Sequence, residues 1–154
     1  MRMRVVALAL ALTLLAGTAS AQDWIGVRSG YPLGVTLHYG LGNALGDADL
    51  RISGRLVADR GGVRIGVGAD ALVNVFAEGP VDAYVGGGPA LEFGPGRADL
   101  GVQGLIGGQF RLAQVNLPQL GVFVEGSVGA SLSLSGGSAR IPTFGAALGF
   151  NWYL

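Results

Sequence analysis

From Trp24 to Leu154 the side chains alternate between apolar and polar with a period of two, in runs too long for an ordinary globular strand. That period belongs to extended chain, whose successive side chains point to opposite faces, and no helical period competes with it. In 48–59, Leu50, Ile52, Gly54, Leu56 and Ala58 share one face, opposed by Asp49, Arg51, Ser53, Arg55, Val57 and Asp59. The runs 63–76, 98–112 and 120–134 divide the same way, with Val, Ile and Leu on one face and Arg, Asp, Glu, Gln and Ser among glycines on the other. Clusters of Gly, Pro, Asn and Asp break the pattern and predict eight strands at 23–29, 33–41, 48–59, 63–76, 81–94, 98–112, 120–134 and 142–154. The connections are short, so successive strands are expected to pair as antiparallel neighbours in one up-and-down sheet.

Most of these runs hold 12 to 15 residues, against about 5 or 6 for strands of globular proteins. A strand that crosses a bilayer at a tilt needs about 9 to 11. Two closed architectures produce the alternation: a soluble lipocalin-like barrel with its apolar face around a ligand, or a membrane barrel with its apolar face against lipid. The make-up of the polar face separates them. A face in water is crowded with lysine and glutamate, whereas this chain has no lysine, 29 glycines and only 13% charged residues. The expected fold is therefore all-β, an eight-stranded antiparallel up-and-down transmembrane β-barrel over 22–154.

Eight strands enclose a lumen that side chains just fill, so ionised groups inside must meet one another. Side-chain parity puts Arg28, Arg51, Arg55, Arg64 and Arg111 on the polar faces together with Asp49, Asp59, Asp70, Asp82, Glu92, Asp99 and Glu125. These twelve are expected to form a lumenal ion-pair network. The other six charges after residue 21 fall in turns or at strand margins. Outward-facing aromatics predict two interfacial belts, with Tyr39, Phe110, Phe150 and Trp152 at one rim and Phe93 and Phe144 at the other.

Residues 1–21 read as an exported leader: Arg2 and Arg4, an apolar stretch from Val5 to Leu15, and the small-residue cleavage site Ala19-Ser20-Ala21. The chain end from Phe144 to Leu154 alternates to its last residue, and Gly149, Trp152 and Leu154 occupy the glycine and two hydrophobic positions of the C-terminal assembly signal of bacterial outer-membrane proteins. Ala147 departs from that signal's usual polar start, and Leu154 stands where phenylalanine is more usual. By architecture, residues 22–154 resemble the small OmpA/OmpX-type outer-membrane barrels. The resemblance implies location in the bacterial outer membrane, contact with its lipid and insertion by the barrel-assembly machinery. The chain departs from OmpA in having no peptidoglycan-binding domain after the barrel, and from OmpX in lacking long surface loops.

Catalytic chemistry finds little support in the residues. His38 is the single histidine, on the polar face between Thr36 and Gly40, with no serine near it in sequence, and a hydrogen-bonding role in the lumen is expected. Gly86-Gly87-Gly88 lies inside a strand and lacks the following helix and the Lys-Ser/Thr ending of a phosphate loop. The carboxylates lack the spacing of a calcium loop, and the chain has no cysteine, so neither a metal nor another cofactor is expected. The charge balance, eight arginines against ten carboxylates beyond residue 21, offers no basic surface for nucleic acid. The expected role is a non-enzymatic structural or accessory barrel of the envelope, with another envelope protein as a possible partner. A narrow pore for ions or small solutes, and a soluble barrel for an apolar ligand, stand as alternatives.

Overall fold

A computed structural model describes residues 22–59 and 62–154; the expected leader at 1–21 lies outside the described residues. Eight strands follow in order: β1 Trp24–Tyr31, β2 Gly34–Leu41, β3 Asp49–Asp59, β4 Gly62–Glu78, β5 Val81–Gly94, β6 Arg97–Arg111, β7 Leu120–Ser133 and β8 Ala139–Tyr153. A short 3₁₀ turn, Leu112–Val115, joins β6 to β7. The links between β4 and β5 and between β5 and β6 are two residues each, and Gly79 and Gly96 take the left-handed backbone (φ 60° and 63°) that such tight reversals require.

Each strand pairs antiparallel with the next, and β1 pairs with β8, so the sheet closes on itself and has no free edge. The register shows the tilt of the strands. From Val27 it passes through Leu37, Gly54, Val67, Leu91, Leu100 and Leu132 to Ala139, at the far end of β8. Val27's own neighbour on β8 is Phe150. The hydrogen-bonded row thus climbs as it circles, which is the stagger a closed barrel needs. Two irregularities lie between Asn74 and Phe76 and between Gly129 and Ser131. At the second, β8 carries an extra residue around Pro142, which has no N–H to give the ladder. That is why β8 begins at Ala139 and not at 142, as the sequence predicts; β1 likewise runs two residues beyond its expected end, to Tyr31.

Polarity runs opposite to that of a soluble protein. Val35, Leu37, Leu56, Ile65, Val67, Val102, Ile106, Val124, Val128 and Leu148 are all exposed on the outer wall, while Arg51, Asp70, Asp99, Glu125, Gln109 and Asn151 are buried within. An apolar band around the whole circumference far exceeds the patches that water-soluble monomers expose. Lipid satisfies it, and the closed sheet leaves no strand edge unpaired towards lipid. The protein is an eight-stranded transmembrane barrel. A lipocalin-like arrangement is overturned by the direction of the faces, because here the apolar set points out and the ionised set points in.

Candidate functional site in the lumen

Mid-height in the lumen, one carboxylate organises a bridge across the barrel. Glu125 on β7 accepts hydrogen bonds from the guanidinium groups of Arg28 on β1 and Arg51 on β3, and from Tyr84 Oη on β5 at 2.7 Å. Arg51 turns its other edge to Asp70 on β4, donating from Nη2 at 2.9 Å and from Nε at 3.3 Å to Oδ2. Asp70 Oδ1 accepts in turn from Gln103 Nε2 on β6 at 3.1 Å. The side chains of Arg51 and Asp70 are each only 2% exposed. β2 and β8 join through a second chain of bonds: His38 Nε2 donates to Asn151 Oδ1 at 2.7 Å, Asn151 Nδ2 donates to Gln109 Oε1 at 2.7 Å, and Gln109 Nε2 donates to Tyr153 Oη. The amide orientation of Asn151 in this chain makes Nε2 the protonated nitrogen of His38. Every strand therefore sends at least one polar side chain into a central plug.

Apolar side chains fill the spaces between these polar ones. Leu72, Leu105, Phe123, Val57, Trp24, Tyr84 and Tyr153 are buried inside the barrel, and the Phe123 ring meets the edge of His38 at 5.7 Å. Sequence reading missed them because the alternation marks this face as polar. The signal available was Leu72, Leu105 and Phe123 themselves, large residues standing at the polar parity in mid-strand. Glycine on facing strands makes room for the rings. A Cβ at Gly107 would lie 2.4 Å from Tyr84 Cζ, and one at Gly149 would lie 2.5 Å from Phe123 Cζ. We expect Gly107→Ala to lower stability by about 1–3 kcal/mol through overpacking. Gly54→Ala, whose Cβ would meet nothing within 4 Å, should leave the urea unfolding midpoint of the detergent-folded barrel almost unchanged.

Above and below the plug the lumen opens into two vestibules. The upper one, about 230 Å³, faces the end away from the chain termini and has Arg28 and Glu125 in its floor. There Arg55 and Arg64 both reach Glu92, at 3.3 Å and 3.0 Å. Arg97 and Arg140 both reach Asp99, at 2.6 Å and 3.6 Å. The lower one, about 270 Å³, is bounded by Arg51, Tyr84 and Leu72 on the plug side. In it Arg111 pairs with Asp82 at 3.0 Å and lies over the Tyr153 ring, 4.4 Å from its centroid.

The structure thus brings ten of the twelve expected residues into ion pairs: Arg28, Arg51, Arg55, Arg64, Arg111, Asp70, Asp82, Glu92, Asp99 and Glu125. Asp49 is a correction. It accepts a hydrogen bond from the Asn43 backbone N–H at 2.8 Å and has no ion pair among the described residues, because it sits where β3 leaves the turn and the turn's own N–H is nearer than any guanidinium. The side chain of Asp59 lies outside the described residues. Arg97 and Arg140, assigned by sequence to the connecting turns, lie at strand starts instead: Arg97 shares a face of β6 with Asp99 two residues on, and Arg140 reaches Asp99 from β8 across β7. Register also sets Ser53 opposite His38, a closeness that sequence separation concealed. The Ser53 hydroxyl turns to the Gly68 carbonyl at 3.5 Å while His38 is engaged by Asn151, so the two are not arranged as nucleophile and base.

On the outer wall, Tyr39, Phe110, Phe150 and Trp152 stand on strand ends beside the termini, and Phe93 and Phe144 on the opposite half. Tyr39 Oη donates to Asp23 at 2.9 Å. Phe76 and Tyr31, which sequence reading left out, are exposed near the first and second rims respectively. Of the assembly-signal positions, Gly149 faces the lumen against Phe123, whereas Trp152 and Leu154 are exposed. No family model and no curated protein matches the chain. Among solved structures it is similar to Neisserial surface protein A, with 15% identity, a TM-score of 0.49, and coverage of 86% of this chain and 93% of that one.

Proposed function

We propose that this chain is a bacterial outer-membrane barrel with a structural or accessory role in the envelope, and that its lumen does not conduct. The observation that carries the reading is the plug: Glu125, Arg51, Asp70, Arg28 and Tyr84 are hydrogen-bonded across the lumen between two vestibules, with Leu72, Leu105 and Phe123 packed around them. An ion would have to part buried, mutually paired charges to pass, at an electrostatic cost that a water-filled pore avoids. The leader-like residues 1–21 and the Gly149, Trp152 and Leu154 pattern support export and insertion by the barrel-assembly machinery. The engagement of His38 Nε2 by Asn151 and of the Ser53 hydroxyl by the Gly68 carbonyl favours a non-enzymatic role.

Reconstituted into planar bilayers, the mature protein should give no stable unitary current at physiological voltage. Discrete conductance steps from the wild-type barrel would replace this reading with that of a narrow pore. Location is tested separately: the protein should fractionate with outer membranes, resist a carbonate wash and migrate faster on a gel before boiling than after.

A further inference from the structure

Formal charge is distributed unevenly along the barrel axis. In the half facing away from the termini, among the described residues, arginines 55, 64, 97 and 140 oppose carboxylates 92 and 99, which leaves two positive charges in excess. The plug is balanced, with Arg28 and Arg51 against Asp70 and Glu125. At the other end, among the described residues, Arg111 is the one arginine against Asp23, Asp47, Asp49, Glu78 and Asp82. The upper excess is concentrated around the vestibule. Glu92 is shared by Arg55 and Arg64, and Asp99 by Arg97 and Arg140. Among the described residues, four guanidinium groups against two carboxylates leave this rim formally net positive.

We propose that this upper vestibule binds a small, multiply charged phosphate compound. Three features select that chemistry. First, the basic groups are all arginine, whose planar fork stays charged and matches the oxygens of a phosphate group. Second, the cavity sets Arg55, Arg64 and Arg140, with the hydroxyl-bearing Ser131 and Thr143 and above a floor containing Arg28, against the carboxylates Glu92, Asp99 and Glu125, so four guanidinium groups from several strands converge on one vestibule. Third, its volume of about 230 Å³ falls below the roughly 300–1,000 Å³ of pockets for drug-sized ligands. A compact anion fits and a polymer does not. Low-dielectric walls focus the field of the excess charge into the opening. The side chains of Arg55 and Arg140 are 30% and 50% exposed, so both can turn from their carboxylate towards an incoming anion. The phosphate group could belong to a free solute or to a lipid headgroup folded over the rim. The inference does not depend on whether the plug conducts.

Pyrophosphate is the probe. Titrated calorimetrically into the mature barrel in nonionic detergent at low ionic strength, it should bind at one saturable site and weaken as salt is raised. Arg55→Gln and Arg140→Gln should each weaken binding about tenfold, and Arg111→Gln, in the opposite vestibule, should leave it unchanged. Heat-modifiable migration confirms that each variant is folded. Arg140, half exposed at the mouth, keeps the test open if Arg55→Gln does not fold. Repeating the titration in phosphatidylcholine nanodiscs with and without phosphatidate identifies the source. Equal affinity in both points to a soluble phosphate compound, and competition by phosphatidate points to a lipid headgroup. Absence of saturable binding in detergent and nanodiscs, or binding that survives both upper substitutions or falls equally with Arg111→Gln, overturns the site.

Discussion

Arg51→Ala is expected to destabilise the folded barrel by about 3–5 kcal/mol, the range for removing one partner from a buried ion pair. Arg51 joins Asp70 to Glu125 at the centre of the plug, and both it and Asp70 are almost wholly enclosed. Without it, Glu125 retains Arg28 and Tyr84, but Asp70 is left with only Gln103 among its hydrogen bonds and no cation. The comparison that gives the value meaning is Arg55→Ala. Arg55 and its partner Glu92 line a vestibule open to water, and water takes over much of the lost pairing, so the cost there should be about 0–1 kcal/mol. Urea titrations in detergent micelles, followed by tryptophan fluorescence, measure both. Equal losses at the two positions would mean that the plug is as wet as the vestibule, and the sealed-lumen reading would fail with it.

Leu37→Arg tests the opposite face and should cost about 2–4 kcal/mol in a bilayer, the range for arginine near the midplane of a transmembrane barrel. Leu37 is 65% exposed on the outer wall, next in sequence to His38 at the level of the plug, so it stands in the middle of the apolar band. Its strand neighbours are Val27 and Gly54, and no carboxylate lies beside it to receive the charge. Leu33→Arg, in the β1–β2 turn at the rim, is the control and should cost about 0–1 kcal/mol, because an arginine there reaches the interface. Reversible unfolding from lipid vesicles gives both values. A Leu37→Arg barrel as stable as the wild type would show that the exposed face does not meet hydrocarbon.

Much of this architecture is legible in the chain because side-chain parity is a local property. Leu50, Ile52 and Leu56 alternate with Arg51, Ser53 and Arg55 whatever the rest of the molecule does, and that alone separates the two faces. Strand ends were less legible. Pro142 reads as the start of β8, yet a bulge accommodates it three residues inside the strand. The packing of large apolar residues in the lumen was less legible still, since Phe123, Leu72 and Leu105 stand at the polar parity but nothing local shows which glycines on facing strands make room for them.

The sequence by itself determined that the chain forms long strands joined by tight turns, and which side chains share a face, because both follow from a period of two and from residues spaced a few positions apart. Only the tertiary structure decided which charges meet. Arg51 reaches Glu125 across 74 positions of sequence and Arg28 reaches it across 97. Those encounters depend on the tilt and stagger with which the sheet closes, a property of all eight strands together that no single stretch of residues records.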